Sequence, residues 1–346
     1  MADGSRMAAE LAEQPRVLAA MVSRWPELVS EVARVVPGAL AGIAFVGRGS
    51  SDNAAVLGRY AAECAGQRPA GLVAPSVHTL YQADVDYSGY LVVALSQSGE
   101  TPEIVATAEL LSAAGAKVVA ITNDPDSALA SVGDVHLDLA AGTELAVPAT
   151  KTVSAQMLAV LAVAEGLRAR RGRAPLLDDA AVGALPDAVD TVLSDPGAPE
   201  ALATRWSASE DLVVVARGVM LAAALEVALK VRETAGVFAQ GSSTADLAHG
   251  PIASIAPGAP VLVLDGGGPG VADVRSMTRR LTEIGADVVV AGAAAGDRLT
   301  LAAGVAEPLQ VLVATVRGQQ LALAWALARR LDPDTPAGLT KVTLTR

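Results

Sequence analysis

The sequence predicts an α/β protein of two tandem halves, each a doubly wound parallel sheet flanked by helices. Three observations carry this. Short apolar runs lead through Gly/Ser turns into helical patterns, the same order recurs at a near-constant offset, and the apolar residues are mostly small and aliphatic.

The 346 residues exceed the usual single-domain size, so two domains of about 150 residues are expected. Hydrophobic residues make up 52% but aromatics only 3%, which leaves Ala, Val, Leu and Ile to build the core. Parallel sheets covered on both faces suit that composition.

Strands are predicted at 43–46, 91–95, 117–121 and 135–139, because each is a brief apolar run bounded by turn residues. The first two run into Gly47-Arg48-Gly49-Ser50-Ser51-Asp52 and Ser96-Gln97-Ser98-Gly99-Glu100-Thr101, and the second of these precedes a helix beginning near Pro102. The second half repeats the order. Ile43-Ala44-Phe45-Val46-Gly47-Arg48-Gly49 aligns with Leu212-Val213-Val214-Val215-Ala216-Arg217-Gly218, and Gly115-Ala116-Lys117-Val118-Val119 aligns with Gly285-Ala286-Asp287-Val288-Val289, at offsets of 169 and 170. Domains are therefore expected at 1–195, with leading helices and a connector, and at 196–332, followed by a tail at 333–346. Prolines 333 and 336 make that tail a poor helix and a candidate lid, ordered mainly by packing over a bound substrate.

The net charge of -11 and a pI near 4.8 disfavour nucleic acid and anionic membrane as partners. Cys64 is the only cysteine, so no disulfide within one chain is expected, and a reducing cytoplasm fits. No run of about 18 uninterrupted apolar residues occurs, and Met1-Ala2-Asp3-Gly4-Ser5-Arg6 lacks the apolar stretch of a signal peptide.

The charge still allows a phosphorylated substrate, which would have to be held locally, by backbone N–H groups and helix ends instead of a basic surface. The turn at 96–101 supplies the hydroxyls of Ser96, Ser98 and Thr101 beside a helix start, where outward N–H groups and the helix dipole favour an anion. The loop at 49–52 adds Ser50 and Ser51 at the neighbouring strand end. The corresponding turn of the second half, Asp265-Gly266-Gly267-Gly268, has lost the hydroxyls. No Gly-x-Gly-x-x-Gly follows a strand and no Walker sequence is present, so no cofactor is expected.

Glu226, Lys230 and Glu233 fall at spacings that place them on roughly one helical face. Spacing alone reads Lys230 and Glu233 as a solvated ion pair. His249 lies in a loop just before Gly250-Pro251, His78 reads as a loop residue and His136 as part of a strand.

With these residues in hand the chain resembles the double-SIS (sugar isomerase) family. Ser96-Gln97-Ser98-Gly99-Glu100-Thr101, Ala141-Gly142-Thr143-Glu144, Ala149-Thr150-Lys151, Glu226-Val227-Ala228-Leu229-Lys230-Val231-Arg232-Glu233, Ala248-His249-Gly250-Pro251 and Asp334-Thr335-Pro336-Ala337-Gly338-Leu339-Thr340-Lys341 are similar to the isomerase half of glucosamine-6-phosphate synthases, as is Glu13-Gln14-Pro15 near the start. Gly47-Arg48-Gly49-Ser50-Ser51-Asp52 and the ending Pro336-Ala337-Gly338-Leu339-Thr340-Lys341-Val342-Thr343 look most like the stand-alone SIS-type glucosamine-6-phosphate deaminases. Arg48 and Ala149 depart from the synthases, which have a small residue and Ser there.

The resemblance implies that Ser50, Ser51, Ser96, Gln97, Ser98, Thr101 and Val147 bind a phosphorylated amino sugar. It further implies that Glu233 transfers the proton, with Lys230 beside it. His249 opens the ring from across a homodimer boundary, and Lys341 reaches the open-chain sugar. A glutaminase would need a cysteine right after the initiator methionine, where Ala2 stands and no extra domain precedes the first half, so glutamine is not expected as the nitrogen source. The expected function is deamination of an amino-hexose 6-phosphate to fructose 6-phosphate and ammonia. The alternatives are ammonia-dependent synthesis by a synthase-like isomerase without its glutaminase, deglycation of a fructosamine phosphate, aldose-ketose isomerisation, and a sensor without catalysis.

Overall fold

The computed structural model describes residues 4–294, 296 and 298–341; the last residues of the predicted tail, 342–346, lie outside it. The described chain separates into two compact units. One comprises 17–144 and 152–182, the other 4–16, 145–151 and 183–341.

The first unit is built on five parallel strands, β1 (Gly42–Val46), β2 (Ala70–Leu72), β3 (Tyr90–Leu95), β4 (Lys117–Thr122) and β5 (Val135–Asp138), in the order β2-β1-β3-β4-β5. Ile43 pairs with Leu91, Val93 with Val119 and Ala120 with His136. Every residue of β1 is buried, so both faces are covered, which explains why the run is continuously apolar instead of alternating. On one face Ala44, Val46, Val92, Ala94, Val118 and Ala120 pack against Ile104, Ala108 and Leu111 of the helix Pro102–Ala113.

The second unit repeats the plan with β6 (Asp211–Ala216), β7 (Phe238–Ser243), β8 (Pro260–Leu264), β9 (Asp287–Gly292) and β10 (Leu299–Thr300), ordered β7-β6-β8-β9-β10. Numbered within each half, both sheets read 2-1-3-4-5, so the duplication seen in the sequence is a duplication of topology. Val215, Val261 and Val263 pack on Val274, Met277 and Leu281 of the helix Val271–Ile284. The helix Glu307–Ala328 is long and apolar enough to span a membrane by length and composition, yet 78% of its most apolar window is buried within the structure. The Thr234 hydroxyl donates to its Ala322 carbonyl at 3.1 Å, tying it to the helix Leu221–Ala235.

Two expectations are corrected here. His78 is not a loop residue; it lies in the short helix Pro75–Thr79, begun by Pro75 at its first position, and is buried with Nε2 3.4 Å from the Tyr87 hydroxyl. The start of the tail is not left for a substrate to order, because Asp334 is buried and its carboxylate accepts the N–H groups of Arg6 and Met7. An acidic side chain on otherwise unpartnered amides of a helix N-terminus is stabilising by itself.

Candidate active site

In the first unit the strand order reverses between β1 and β3, and ligands of open α/β sheets bind beyond the carboxyl ends of strands at such a point. The turns that follow these two strands are the ones the sequence singled out. The first is shorter than expected, since Ser50 and Ser51 already belong to the helix Ser50–Gly66, which Gly49 introduces at a φ of 59°. Ser51 N–H donates to Arg48 C=O at 3.2 Å.

The second turn is locked from several sides. The buried Ser96 Oγ accepts the Gly99 N–H at 3.1 Å and stands 3.2 Å from Thr101 Oγ1. The Ser98 hydroxyl accepts the Glu100 N–H at 3.2 Å, and the Gln97 carbonyl accepts the Asn123 N–H at 3.0 Å. Gly99 has a φ of 68°, and a Cβ there would stand 2.1 Å from Ser127 Oγ, so only glycine fits. Thr101 is the residue before the helix Pro102–Ala113 and its hydroxyl makes no cap bond, which leaves it turned to the Ser96 side. Ser50, Ser51, Ser96, Gln97, Ser98 and Thr101 are thus brought to one end of one sheet, on two adjacent strand exits.

An ion pair not foreseen in the sequence pins the two turns together. The Arg48 guanidinium donates through Nε and Nη2 to both oxygens of Glu103, at 2.9 and 3.0 Å, in the two-pronged geometry that arginine favours. The second unit keeps the equivalent pair: Arg217 Nε lies 3.0 Å from Asp273 Oδ2, between positions offset by 169 and 170 residues. The pair therefore persists in the half whose turn has lost its hydroxyls, which marks Arg48 as a brace between turn and helix. The signal was available in the sequence as a repeated Arg, with an acid in the first helical turn of each copy. Burial raises the pKa of nearby Asp52, and the Arg48 charge opposes that rise.

The turn after β8 is built differently. The Glu307 carboxylate lies so close to Gly268 that a Cβ there would stand 2.0 Å from Glu307 Cδ. Burial, and then the charge of Asp265, raise the Glu307 pKa. An anion approaching this turn would meet carboxyl groups where the first unit offers hydroxyls.

The second unit also holds Glu226, Lys230 and Glu233 on the helix Leu221–Ala235. Lys230 Nζ is 3.5 Å from Glu226 Oε1 and donates to Glu233 Oε2. The Lys230 side chain is 1% exposed and that of Glu226 0%, against 23% for Glu233. The pair expected to be solvated is therefore half-buried, with the lysine inside and the Glu233 carboxylate partly open. This helix is covered by the helix Glu307–Ala328 and by β7, a burial that periodicity within one helix does not encode. A buried ammonium set between two carboxylates holds the more accessible of them, that of Glu233, in one place.

His249 follows the short helix Thr244–Ala248 and is exposed; its N–H donates to Asp246 C=O at 3.1 Å, while its ring makes no hydrogen bond among the described residues. Lys341 Nζ donates to Ala146 C=O at 2.7 Å. Val147, half-buried, donates its N–H to Asp334 C=O at 2.9 Å.

The SIS domain family profile matches residues 42–166 and 207–328, one stretch in each half. The chain is 30% identical over 345 residues to a glutamine–fructose-6-phosphate aminotransferase (isomerizing) of Thermococcus kodakarensis, covering 97% of this chain and 57% of the relative. The chain spans about half the length of the curated relatives it matches. Among solved structures, a candidate phosphosugar isomerase from Silicibacter pomeroyi superposes with a TM-score of 0.81 at 31% identity, covering 95% of this chain and 99% of that one. A glucosamine-6-phosphate deaminase from Thermotoga maritima has the same fold, with a TM-score of 0.80 at 22% identity over 98% and 100% of the two chains.

Proposed function

This chain belongs to the SIS domain family, and on that premise we propose that it converts a phosphorylated amino-hexose such as glucosamine 6-phosphate to fructose 6-phosphate and ammonia. The observation that carries the reading is the Glu233 carboxylate, partly open to solvent and held by a lysine that is itself buried. Moving a proton between adjacent sugar carbons needs one fixed carboxylate whose second oxygen remains accessible.

The reaction runs without a cofactor. The hydroxyls of Ser96, Ser98 and Thr101 and the first turn of the helix Pro102–Ala113 bind the phosphate. His249 moves the proton between ring oxygen and anomeric hydroxyl as the sugar opens. Glu233 takes the C2 proton and returns it to C1 while the C1 oxygen gains a proton and the C2 nitrogen loses one, leaving a C1 hydroxyl and a C2 imine; water adds to that imine, its oxygen becomes the ketone oxygen and ammonia departs. Lys341 supplies an amine for the open-chain sugar. The protein acts as a homodimer in which His249 serves the partner's reaction.

A second reading, aldose-ketose isomerisation without loss of nitrogen, is supported by the 31% likeness to the Silicibacter pomeroyi protein. One experiment separates the two. The pure protein is incubated with glucosamine 6-phosphate and with unsubstituted aldose phosphates, and ammonia and ketose phosphate are recorded together. Equimolar ammonia and fructose 6-phosphate, lost by at least about 100-fold in Glu233→Gln while binding is kept, is the expected result. Ketose phosphate formed only from the unsubstituted sugars would establish the second reading, and binding without turnover of any sugar would make the protein a sensor.

A further inference from the structure

Within the second unit, hydrogen bonds close a ring around the segment 145–147. The Glu10 carboxylate, only 4% exposed, accepts the N–H groups of Leu145 and Ala146, the latter at 3.3 Å. The next N–H along the chain, that of Val147, donates to the Asp334 carbonyl. The Asp334 carboxylate, 7% exposed, accepts Met7 N–H at 2.8 Å and Arg6 N–H at 3.2 Å. Arg6 and Met7 open the helix Ser5–Ala12 that also carries Glu10, so the circuit returns to its starting element. The Ala146 carbonyl shares a peptide plane with the Val147 N–H, and it is this carbonyl that receives Lys341 Nζ.

We propose that Glu10 and Asp334 are positioning residues for Lys341. Two buried carboxylates on one short helix and the tail fix the plane of the Ala146–Val147 peptide, and that plane fixes where the amine rests before it meets a sugar. Burying a carboxylate is costly unless its hydrogen bonds are met, and an apolar side chain at position 10 would fill the same space without that cost. Glu10 is therefore accounted for by orientation, which a reacting amine needs to within a fraction of an ångström.

This inference rests on the reading of Lys341 as a reacting amine, so its test has an arm that needs no turnover. Lys341 in the full-length protein is labelled with acetic anhydride and the rate followed by mass spectrometry, in the parent, Glu10→Gln and Asp334→Asn. Glutamine is close in shape to glutamate but carries no charge and puts a donor where the second oxygen accepts Ala146 N–H at 3.3 Å, so that bond is lost and those left on the first oxygen are no longer charge-assisted. Faster labelling of Lys341 in both variants, by at least about threefold, is expected once the rest position is loosened. Labelling at the parent rate in a variant that melts like the parent overturns the proposal. If Glu10→Gln fails to fold, Asp334→Asn, which loosens the ring from the tail side, decides the question.

The kinetic arm is a double-mutant cycle. Glu10→Gln should lower kcat by about 10-fold with KM little changed, and should add nothing once Lys341→Ala is present. Equal losses in both backgrounds would show that Glu10 acts apart from Lys341 and overturn the proposal. Full activity of Lys341→Ala alone would instead remove Lys341 from the chemistry, leaving the labelling arm to decide whether the ring holds it.

Discussion

The Lys230 ammonium, 1% exposed, is bonded to a Glu233 carboxylate of which 23% is exposed, so the buried partner holds the accessible one. The same ammonium stands 3.5 Å from the fully buried Glu226. One cation thus compensates two carboxylates, and its removal would leave negative charge inside the helix pair. Lys230→Met is expected to cost about 3–5 kcal/mol, the usual penalty for breaking a buried pair from one side. Adding Glu226→Gln should restore much of it. Urea denaturation of the single and double variants checks this, and a single variant within about 1 kcal/mol of the parent would mean that the pair does not govern this helix.

His249 is exposed at the end of a short helix and its ring has no hydrogen bond among the described residues. If it serves the partner protomer, mixing Glu233→Gln with His249→Ala chains should regenerate activity, because some sites then receive one intact copy of each residue. Verified heterodimers that stay inactive would put His249 and Glu233 of one chain in the same site.

Ser96 is the hydroxyl on which the turn after β3 closes, receiving Gly99 N–H and facing Thr101. Ser96→Ala is expected to raise KM for the sugar phosphate by about 10-fold, the worth of one hydrogen bond to a charged group. A smaller effect on kcat should accompany it, since the phosphate is held alike before and during reaction. An unchanged KM in steady-state kinetics would take Ser96 out of the phosphate site.

Glu307 titrates above its ordinary value of 4.5, first because it is buried and then because of Asp265. A carboxyl with a raised folded pKa holds its proton longer in the folded state. Its contribution to stability is full below about 4.5 and is lost as pH rises through the folded pKa. Glu307→Gln cannot ionise, so it should match the parent near the ordinary carboxyl range and become the more stable of the two as pH rises toward neutrality. Urea midpoints measured across that range test the sign; a difference independent of pH would assign the effect to packing alone.

The α/β class, the duplication and the two Ser-bearing turns were legible in the sequence because they depend on local order: an apolar run, a Gly/Ser turn, a helix start, and the same order again at 169 or 170 residues. The brace Arg48–Glu103 was half legible. Its repetition as Arg217–Asp273 could have been read as a pattern, but the pairing itself spans 55 residues and is made by the way each strand exit faces the next helix.

By itself the sequence determined the period of the apolar residues, the chemistry of the turns and the order of both halves, since these follow from short-range sterics and hydrophobic patterning. It also placed Glu226, Lys230 and Glu233 on one helical face. Only the tertiary structure decided that this face is buried at Lys230 and open at Glu233, because burial depends on what packs against a helix. The tertiary structure likewise brought Glu10, Asp334 and Lys341 to the peptide at Ala146–Val147. Glu10 and Asp334 are separated by most of the chain, and no local rule couples a carboxylate in the first helix to amides that distant. Only the folded backbone leaves those N–H groups in need of an acceptor.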